Sequence, residues 1–433
     1  MPALWWLARS VCDRSTALVA AVVLAAFAPH VHFSRVGLPH IFDTLCGTFA
    51  LAGIASGLAG GGRLAWAVGG VALGLTHYGF EAGRWFFTPL VVVWLAAVAV
   101  VAPARLRGRG GELAVFALAA ALTVLPLYAA LLAAGRAAAP RLRTSSLDLG
   151  ELAAMWAEPG ALGRHVALAA GVYLWEPERA EYYGGDGGLL APLLAPFALL
   201  GVAVCLWRSR TPAVLVPLWL AAAWLANVAM RNPAVYARWV VALPALALAA
   251  ACGIRAAVGW IVTGEGRVTG VALVLAAVLA VAQVQAYFVH HIARLADQAR
   301  AAKPYRDAYD AALRAAAALP RGDILVISDP VVDVHPPRSL LRLLRDGRDD
   351  LRLDIAEPAA VDHAFLAALP AERDRAFFVA PDDVATVARL AVCFDLVGPR
   401  PAPADVAPDK RLDLYLAPAG SRRATCGAAA AAS

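Results

Sequence analysis

Long apolar stretches separated by short polar connections fill the first two thirds of the chain. Up to about residue 290, apolar runs of about 17 to 25 residues recur, and this length crosses a bilayer as a helix. The last third is mixed and charged. The pattern predicts a polytopic membrane protein with a soluble domain behind it. About nine spans are predicted, at 17–30, 41–60, 64–79, 87–103, 112–134, 188–207, 212–230, 236–254 and 268–288.

The last third follows a different periodicity. Residues 291–320 have helical spacing, with Tyr305 and Tyr309 on the repeat, and predict a stalk that continues the last span. Residues 321–418 predict a small α/β domain, because ILVIS, DLRLDI, AFFVA and LDLYLA have strand patterns and RSLLRLLRD and DDVATVARLA have helical ones. We interpret this domain as accessory, and the alanine-rich end, 419–433, as disordered. The predicted fold class is therefore mainly α, a membrane helix bundle over 1–290 with a small α/β domain.

Composition excludes an ordinary soluble enzyme. The chain is 61% hydrophobic and 16% charged, where soluble proteins carry about a quarter charged residues. Its six cysteines form no CxxC pair, so neither a metal site nor a disulfide framework follows. Cys393 and Cys426 share the soluble tail, and an oxidising compartment would permit a bridge between them. The opening MPALWWLARSVCDR lacks the pattern of a cleavable signal.

Arginine placement orients the spans. The net charge is +6, but the basic residues lie in short connections between apolar runs and form no one-sided patch, so nucleic acid is not an expected partner. The positive-inside rule assigns these connections to the cytoplasm. With an odd number of spans, the N-terminus then lies on the cytoplasmic side of the inner (cytoplasmic) membrane, and the C-terminal domain lies outside. The arginines concerned are Arg9, Arg14, Arg63, Arg105, Arg107, Arg109, Arg208, Arg210, Arg255 and Arg267.

The opposite, outer connections mix histidine, aromatic and charged residues. The first, HVHFSRVGLPHIFD, has three histidines, but His30 and His32 are only two apart, which disfavours a metal site; the sequence requires no divalent metal. Its Arg35 suits a lipid phosphate or an acidic side chain, or it snorkels to the interface. The second, THYGFEAGRWFF, places Glu81 and Arg84 three apart, where they can also pair with each other.

Two further outer connections suggest sugar and phosphate binding. The third ends in WEPERAEYYGGDGG, where carboxylates next to aromatic rings suit sugar hydroxyls and faces. Before it, LDLGELAAMWAEPGAL and GRHVALAAGVYLWEPERAEYY predict two amphipathic helices, either at the membrane interface or as a structural plug. The fourth, MRNPAVYARWVVALP, has Arg231 and Arg238 near the start of a span, where two cations suit a phosphate headgroup.

Four segments carry a resemblance to a known family. They are FSRVG after an apolar span, GLTHYGFEAGRWFFTPL, YYGGDGGLLAPLLAPFALLGVAV and VYARWVVALPALALAAACG. Together they resemble the polytopic GT-C glycosyltransferases, which include protein O-mannosyltransferases and the aminoarabinose transferases of lipid A. The resemblance covers the membrane part, residues 1 to about 290. It implies transfer of a sugar from a polyprenyl-phosphate carrier on the outer face of the membrane.

The resemblance also implies roles for individual residues. Arg35 corresponds to the Ser-Arg element of the second outer loop, and Tyr78 and Arg84 match the motif that opens the next outward span. Arg238 resembles the basic residue near the lipid phosphate, and Asp186 lies in the glycine-rich element before the sixth span, without the family's usual asparagines. The predicted donor-phosphate ligands are Arg35, Arg84, Arg231 and Arg238, and the predicted sugar or acceptor ligands are His40, Tyr78, Glu81, Tyr183 and Asp186.

The family's acidic first outer loop, which supplies its catalytic base, has no counterpart in this sequence. Asp43 is the nearest substitute. Two explanations stay open: the true start lies upstream of Met1, or the chain is a degenerate copy that is inactive alone.

The leading hypothesis is a membrane glycosyltransferase that uses a polyprenyl-phosphate sugar and an unidentified acceptor. The alternative is a non-catalytic scaffold in envelope glycan assembly. A transporter ranks last, because charged residues inside the spans and an internal repeat are not evident.

Overall fold

The computed structural model of the chain describes residues 1–135, 144–178, 182–207, 212–302, 306–317, 319, 322–328, 335–345, 347, 350–400 and 411–432. It divides into two compact units, Met1–Leu295 and Ala296–Ser433. Among the described residues, the regular elements of the first unit are all helices, and the second contains the sheet, as the periodicity of the sequence predicted.

Helices occupy all nine positions where spans are predicted. Five segments are long and apolar enough to cross a membrane alone, namely His40–Leu58, Gly83–Val101, Gly110–Ala133, Tyr236–Ile261 and Glu265–Asp297. A sixth is a bent pair at 59°, broken before Pro29, whose nitrogen cannot donate to the preceding turn. The remaining three are shorter apolar helices. The helices that begin in this unit are α1 Pro2–Val11, α2 Arg14–Ala26, α3 Ala28–Arg35, α4 His40–Leu58, α5 Gly62–Leu75, α6 Glu81–Val101, α7 Gly110–Ala133, α8 Leu149–Ala157, α9 Ala161–Gly171, α10 Ala195–Trp207, α11 Leu215–Val228, α12 Tyr236–Trp239, α13 Leu243–Ile261, α14 Glu265–Gln285 and α15 Ile292–Ala302, with a π-helical segment at Ala286–His291.

Helix α13 lies at the centre of the bundle. Most residues of the apolar segment Tyr236–Ile261, which contains α12 and α13, are buried, whereas few residues of α7 are, so α7 belongs to the periphery. Close approach of α13 to α10 depends on two glycines, since a Cβ at Gly201 would lie 1.7 Å from the Ala249 oxygen and one at Gly253 would lie 1.8 Å from the Phe197 oxygen. A larger residue at either position would push the two helices apart.

Alternation of the spans separates the helix ends into two groups. One group, here called the arginine end, contains the connections after α4, α6 and α13; Arg109 lies in one of them, and Arg63 and Arg267 lie in the first turns of α5 and α14. The other, here called the cavity end, contains the connections after α3, α5, α7, α11 and α14. The predicted Arg208 and Arg210 lie outside the described residues.

The second unit is a three-layer α/β structure. Its sheet has the strand order β2-β1-β3-β5-β4, with β1 parallel to β2 and β3, and β5 antiparallel to β3 and β4. In β1, Ile324 and Val326 pack on one side and Leu325 and Ile327 on the other, so both faces are covered and the strand is a continuous apolar run. The elements are α16 Arg306–Ala317, β1 Gly322–Ile327, α17 His335–Leu344, β2 Leu351–Ala356, α18 His363–Ala368, β3 Arg375–Val379, α19 Val384–Cys393, β4 Val397–Arg400, β5 Asp413–Ala417 and α20 Ala424–Ala432.

Two expectations about this unit differ from the structure. Half of the predicted stalk, α16, packs its Ala312, Leu313 and Ala316 into the core beside the sheet, because its apolar stripe needs a partner. Residues 303–305, including Tyr305, lie outside the described residues. The end predicted to be disordered forms α20, which a disulfide between Cys393 and Cys426 ties to α19. A covalent crosslink lowers the entropy that a short alanine-rich helix would lose on ordering.

Candidate functional site

A cavity of about 700 Å³ opens at the cavity end of the membrane unit. Segments from all four predicted outer connections contribute to its wall. Most lining residues are apolar, and a few polar groups converge among them, which is typical of small-molecule sites. The lining residues are Leu38, Pro39, His40, Phe80, Glu81, Trp85, Phe86, Ser145, Ser146, Tyr182, Ala226, Asn227, Ala229, Met230, Val235, Ala237, Arg238 and Val241.

Three of the predicted site residues meet in this wall. His40 is the first residue of α4, and its ring lies 4.0 Å from that of Phe80. Glu81 is the first residue of α6, and Arg238 lies in α12. Each stands at or near a helix start because its segment enters the bundle at this end. We call His40, Glu81, Trp85, Tyr182 and Arg238 the cavity wall.

Arg238 is half-buried and donates from Nη1 to the carbonyl oxygen of Asn232 at 3.0 Å. A carbonyl partner orients the guanidinium without cancelling its charge. Arg238 therefore supplies a positive charge beside an apolar cavity, where an anion gains more than it would in water.

Asp43, the predicted proton acceptor, does not line the cavity. It is 1% exposed, and its two carboxylate oxygens accept from the Phe80 N–H at 3.1 and 2.9 Å, at the start of α6. Gly79 and Gly83 make room for it, since a Cβ at Gly79 would lie 1.7 Å from Oδ1. A carboxylate at a helix start satisfies a backbone donor that the helix leaves unpaired. This placement suits a structural role and does not suit contact with an acceptor substrate in the cavity.

Arg84 and Tyr78 form a separate group outside the described lining of the cavity. Arg84 donates from Nε to the His77 oxygen at 2.6 Å, and the Tyr78 hydroxyl donates to the Thr123 oxygen at 2.8 Å. These contacts connect the segment after α5 with α6 and α7, so the predicted phosphate and sugar ligands here hold helices together.

Arg35 and Tyr183 belong to an aromatic cluster at the same end. Arg35 lies 5.2 Å from the Phe288 ring centroid and donates to the Tyr287 hydroxyl at 3.5 Å. The Tyr183 ring is 7% exposed and stacks on Tyr236 at 5.6 Å. Such a ring cannot present its face to a sugar, so the structure corrects the predicted role of Tyr183 to one of packing.

Arg231 and Asp186, two further predicted ligands, have partners of opposite charge. Arg231 lies 2.7 Å from Glu151 and 3.5 Å from Asp148. Its hydrogen bond is the main cause that lowers the pKa of Glu151. We call Asp148, Glu151 and Arg231 the rim, because Arg231 follows the lining residue Met230 and its N–H donates to the lining residue Ser145. Asp186 pairs with Arg294.

Glu178 was not among the predicted ligands, although it belongs to the quoted WEPERAEYY segment. Its Oε2 accepts from the N–H groups of Tyr183 and Gly184, the latter at 2.8 Å, and its Oε1 accepts from the Tyr236 N–H at 3.0 Å. Burial raises the pKa of this carboxyl to about 7, against the opposing effect of these donors.

Sequence reasoning also missed Trp85 and Tyr182. Trp85 lies four residues after Glu81 on α6, and this spacing places both on one helix face, which is a usable signal. Tyr182 and Tyr183 are adjacent, and nothing in the sequence distinguishes the exposed ring from the buried one. Residues 179–181, with the quoted Glu181, lie outside the described residues. Within the described residues, no group of three or more His, Cys, Asp and Glu side chains could hold a metal ion.

Comparison with known proteins identifies the fold. No protein-family model and no curated protein sequence matches the chain. The crystal structure of ArnT from Cupriavidus metallidurans bound to undecaprenyl phosphate is similar at a TM-score of 0.53 and 14% identity, over 96% of this chain and 81% of that chain. An oligosaccharyltransferase of Archaeoglobus fulgidus tethered to an acceptor peptide aligns at a TM-score of 0.40 and 14% identity, over 84% of this chain and 52% of that chain.

The similarity to ArnT shows that the chain has the polytopic membrane fold of the GT-C glycosyltransferases, which confirms the predicted resemblance. The matched 96% exceeds what residues 1–290 of a 433-residue chain could supply. The similarity therefore extends beyond the membrane part, to which the sequence resemblance was limited.

Proposed function

We propose that the chain is a membrane glycosyltransferase that transfers a sugar from a polyprenyl-phosphate carrier to an acceptor at the cavity. One observation carries the proposal: Arg238, Glu81 and His40 converge on one largely apolar cavity of about 700 Å³. A lipid-linked donor combines the groups that such a cavity recognises, namely an apolar tail, an anionic phosphate and a polar sugar.

The wall supplies the two functions that the transfer needs. Arg238 stabilises the negative charge on the phosphate as it leaves the sugar. Glu81 replaces Asp43 as the candidate proton acceptor, because it lines the cavity and Asp43 does not. It takes the proton from the acceptor hydroxyl as the new glycosidic bond forms. The rings of Trp85 and Tyr182 offer faces for the sugar.

A protein of similar fold has been crystallised with a lipid phosphate of this class. The ArnT structure similar to this chain holds undecaprenyl phosphate, a polyprenyl phosphate. Its low identity supports the fold alone, so the donor class for this chain depends on the cavity and its arginine.

We further propose that the cavity end and the C-terminal unit face outside the cytoplasmic membrane. Arginines at the opposite end support this orientation by the positive-inside rule. The disulfide Cys393–Cys426 supports it independently, because such bonds persist in oxidising compartments. Reporter fusions after Arg109 and after Gly420 test it. A reporter active only in the cytoplasm should be active at Arg109 and silent at Gly420, and the reverse result would overturn the orientation.

Binding of undecaprenyl phosphate to the purified chain in detergent tests the function. Arg238→Ala should weaken this binding at least about tenfold, because a charged hydrogen-bond donor to phosphate is lost. Arg231→Ala is the matched control, since it removes the same side chain from the rim, where carboxylates already neutralise it.

Undecaprenol, which lacks the phosphate, provides the second control. Equal binding of undecaprenol and undecaprenyl phosphate by the wild-type chain would contradict the proposal. The scaffold hypothesis would then become the better account of this fold.

A further inference from the structure

One carboxylate holds two segments of the cavity end together. Glu178 lies in the connection between α9 and α10, and each of its oxygens accepts from a different segment: Oε2 from the loop amides of Tyr183 and Gly184, and Oε1 from the Tyr236 amide at the start of α12. Above its pKa of about 7 this carboxyl is ionised, and hydrogen bonds to an ionised acceptor are about twice as strong as neutral ones. We call these three bonds the Glu178 anchor.

Tyr236 strengthens the same junction from the helix side. Its ring is fully buried, and its hydroxyl contacts the carbonyl oxygens of Glu176 at 2.6 Å and Gly187 at 2.7 Å. A single hydroxyl proton serves one of these carbonyls at a time. Tyr183 stacks on the Tyr236 ring. The loop is also closed at its base, where the Leu189 N–H donates to the Val172 oxygen at 2.8 Å.

Both segments of the anchor lead directly into the cavity wall. Tyr182 precedes the anchored Tyr183, and Arg238 follows the anchored Tyr236 by two residues. The Tyr182 carbonyl is further held by His32 Nε2 at 2.7 Å. A backbone fixed one or two residues away limits where each side chain can point, whereas Glu178 itself does not line the cavity.

We infer that Glu178 is a positioning residue, which fixes Tyr182 and Arg238 relative to each other so that they bind the lipid-linked phosphate and its sugar together. The inference rests on the proposed function for its ligand and on the hydrogen bonds alone for its mechanism. It predicts that the loop and the start of α12 loosen together when the carboxylate is replaced.

The test combines hydrogen exchange with binding. In Glu178→Gln, one oxygen becomes an amide donor and can no longer accept from its segment, so exchange should accelerate at the amides of residues 182–187 and 234–238. The affinity for undecaprenyl phosphate should fall about tenfold, the cost of losing a charged hydrogen bond. Exchange in the rest of α13 should stay at its wild-type rate, which a general structural defect would not allow.

Glu176→Gln provides the matched control. It changes a carboxyl two residues earlier in the same loop, and the bond from Tyr236 uses the Glu176 backbone oxygen, which the substitution keeps. This variant should exchange and bind like the wild type.

The outcomes separate the inference from the proposed function. Local loosening in Glu178→Gln with weaker binding supports both, and local loosening in a chain whose wild type binds no undecaprenyl phosphate supports the anchor while contradicting the function. Unchanged or uniformly faster exchange overturns the inference. Local loosening with unchanged affinity overturns it as well, because the anchor would then not position the binding groups.

Discussion

The cavity wall and the rim each contain an arginine, Arg238 and Arg231, seven residues apart in the chain, but the two charges have different surroundings. On the rim, Arg231 is paired with Glu151 and Asp148 in water-exposed positions. In the wall, Arg238 is half-buried and donates to a backbone carbonyl. An arginine neutralised by carboxylates offers little to a phosphate, whereas one oriented by a carbonyl keeps its charge. Partners, more than residue type, therefore decide which arginine suits the donor.

The largest effect is expected when the wall carboxylate Glu81 is replaced. Glu81→Gln removes the proposed proton acceptor at nearly constant volume, so transfer from a polyprenyl-phosphate sugar should fall about 100-fold or more. Undecaprenyl phosphate affinity should stay within about twofold, because the lost interaction is made in the transition state. Single-turnover rates and equilibrium binding measure the two effects.

Glu151→Gln on the rim is the control for that measurement and should keep the wild-type rate. An undiminished rate in Glu81→Gln would remove Glu81 from the mechanism.

Replacing Asp43 tests whether Glu81 in the cavity wall, and not Asp43, is the proton acceptor. Asp43→Ala removes the acceptor of the Phe80 N–H, which should destabilise the fold by about 1–3 kcal/mol. Asp43→Asn keeps one acceptor oxygen and should lose less. Thermal unfolding in detergent measures both. If Asp43→Asn melts like the wild type but no longer transfers sugar, Asp43 is the proton acceptor after all.

A smaller change sharpens the contrast between the two arginines. Arg238→Lys keeps the positive charge and loses the planar fork of donors, so undecaprenyl phosphate should bind about tenfold more weakly. Arg231→Lys should bind like the wild type, and a titration with both variants measures the difference. Equal losses would mean that the wall and the rim do not differ as proposed.

The smallest effect is expected on the rim itself. Arg231→Ala removes an exposed ion pair, which contributes little to stability because water and salt screen it. Its melting temperature should stay within about 2 °C of the wild type. A large drop in the melting temperature would show that the rim stabilises the fold although its side chains are exposed.

Much of the fold was predictable because its signals are local. Span length and apolar composition predicted nine spans, and a helix occupies each of these nine positions. The change to short strands and helices identified the α/β unit. The packing of α16 on the sheet and the ordering of α20 by Cys393–Cys426 depend on contacts with other parts of the chain. Periodicity within one segment contains no information about those partners.

The candidate site was likewise predictable only in part. The sequence by itself assigned four polar connections to one side of the bundle and singled out His40, Glu81 and Arg238, because alternation of spans determines which connections meet. Only the tertiary structure decided that Asp43 and Tyr183 are buried and that Arg231 is neutralised. It also decided that Glu178 joins two segments of the cavity end. Burial, pairing and orientation depend on neighbours far away in the chain. The type of a residue determines its chemistry, whereas the fold determines its contacts.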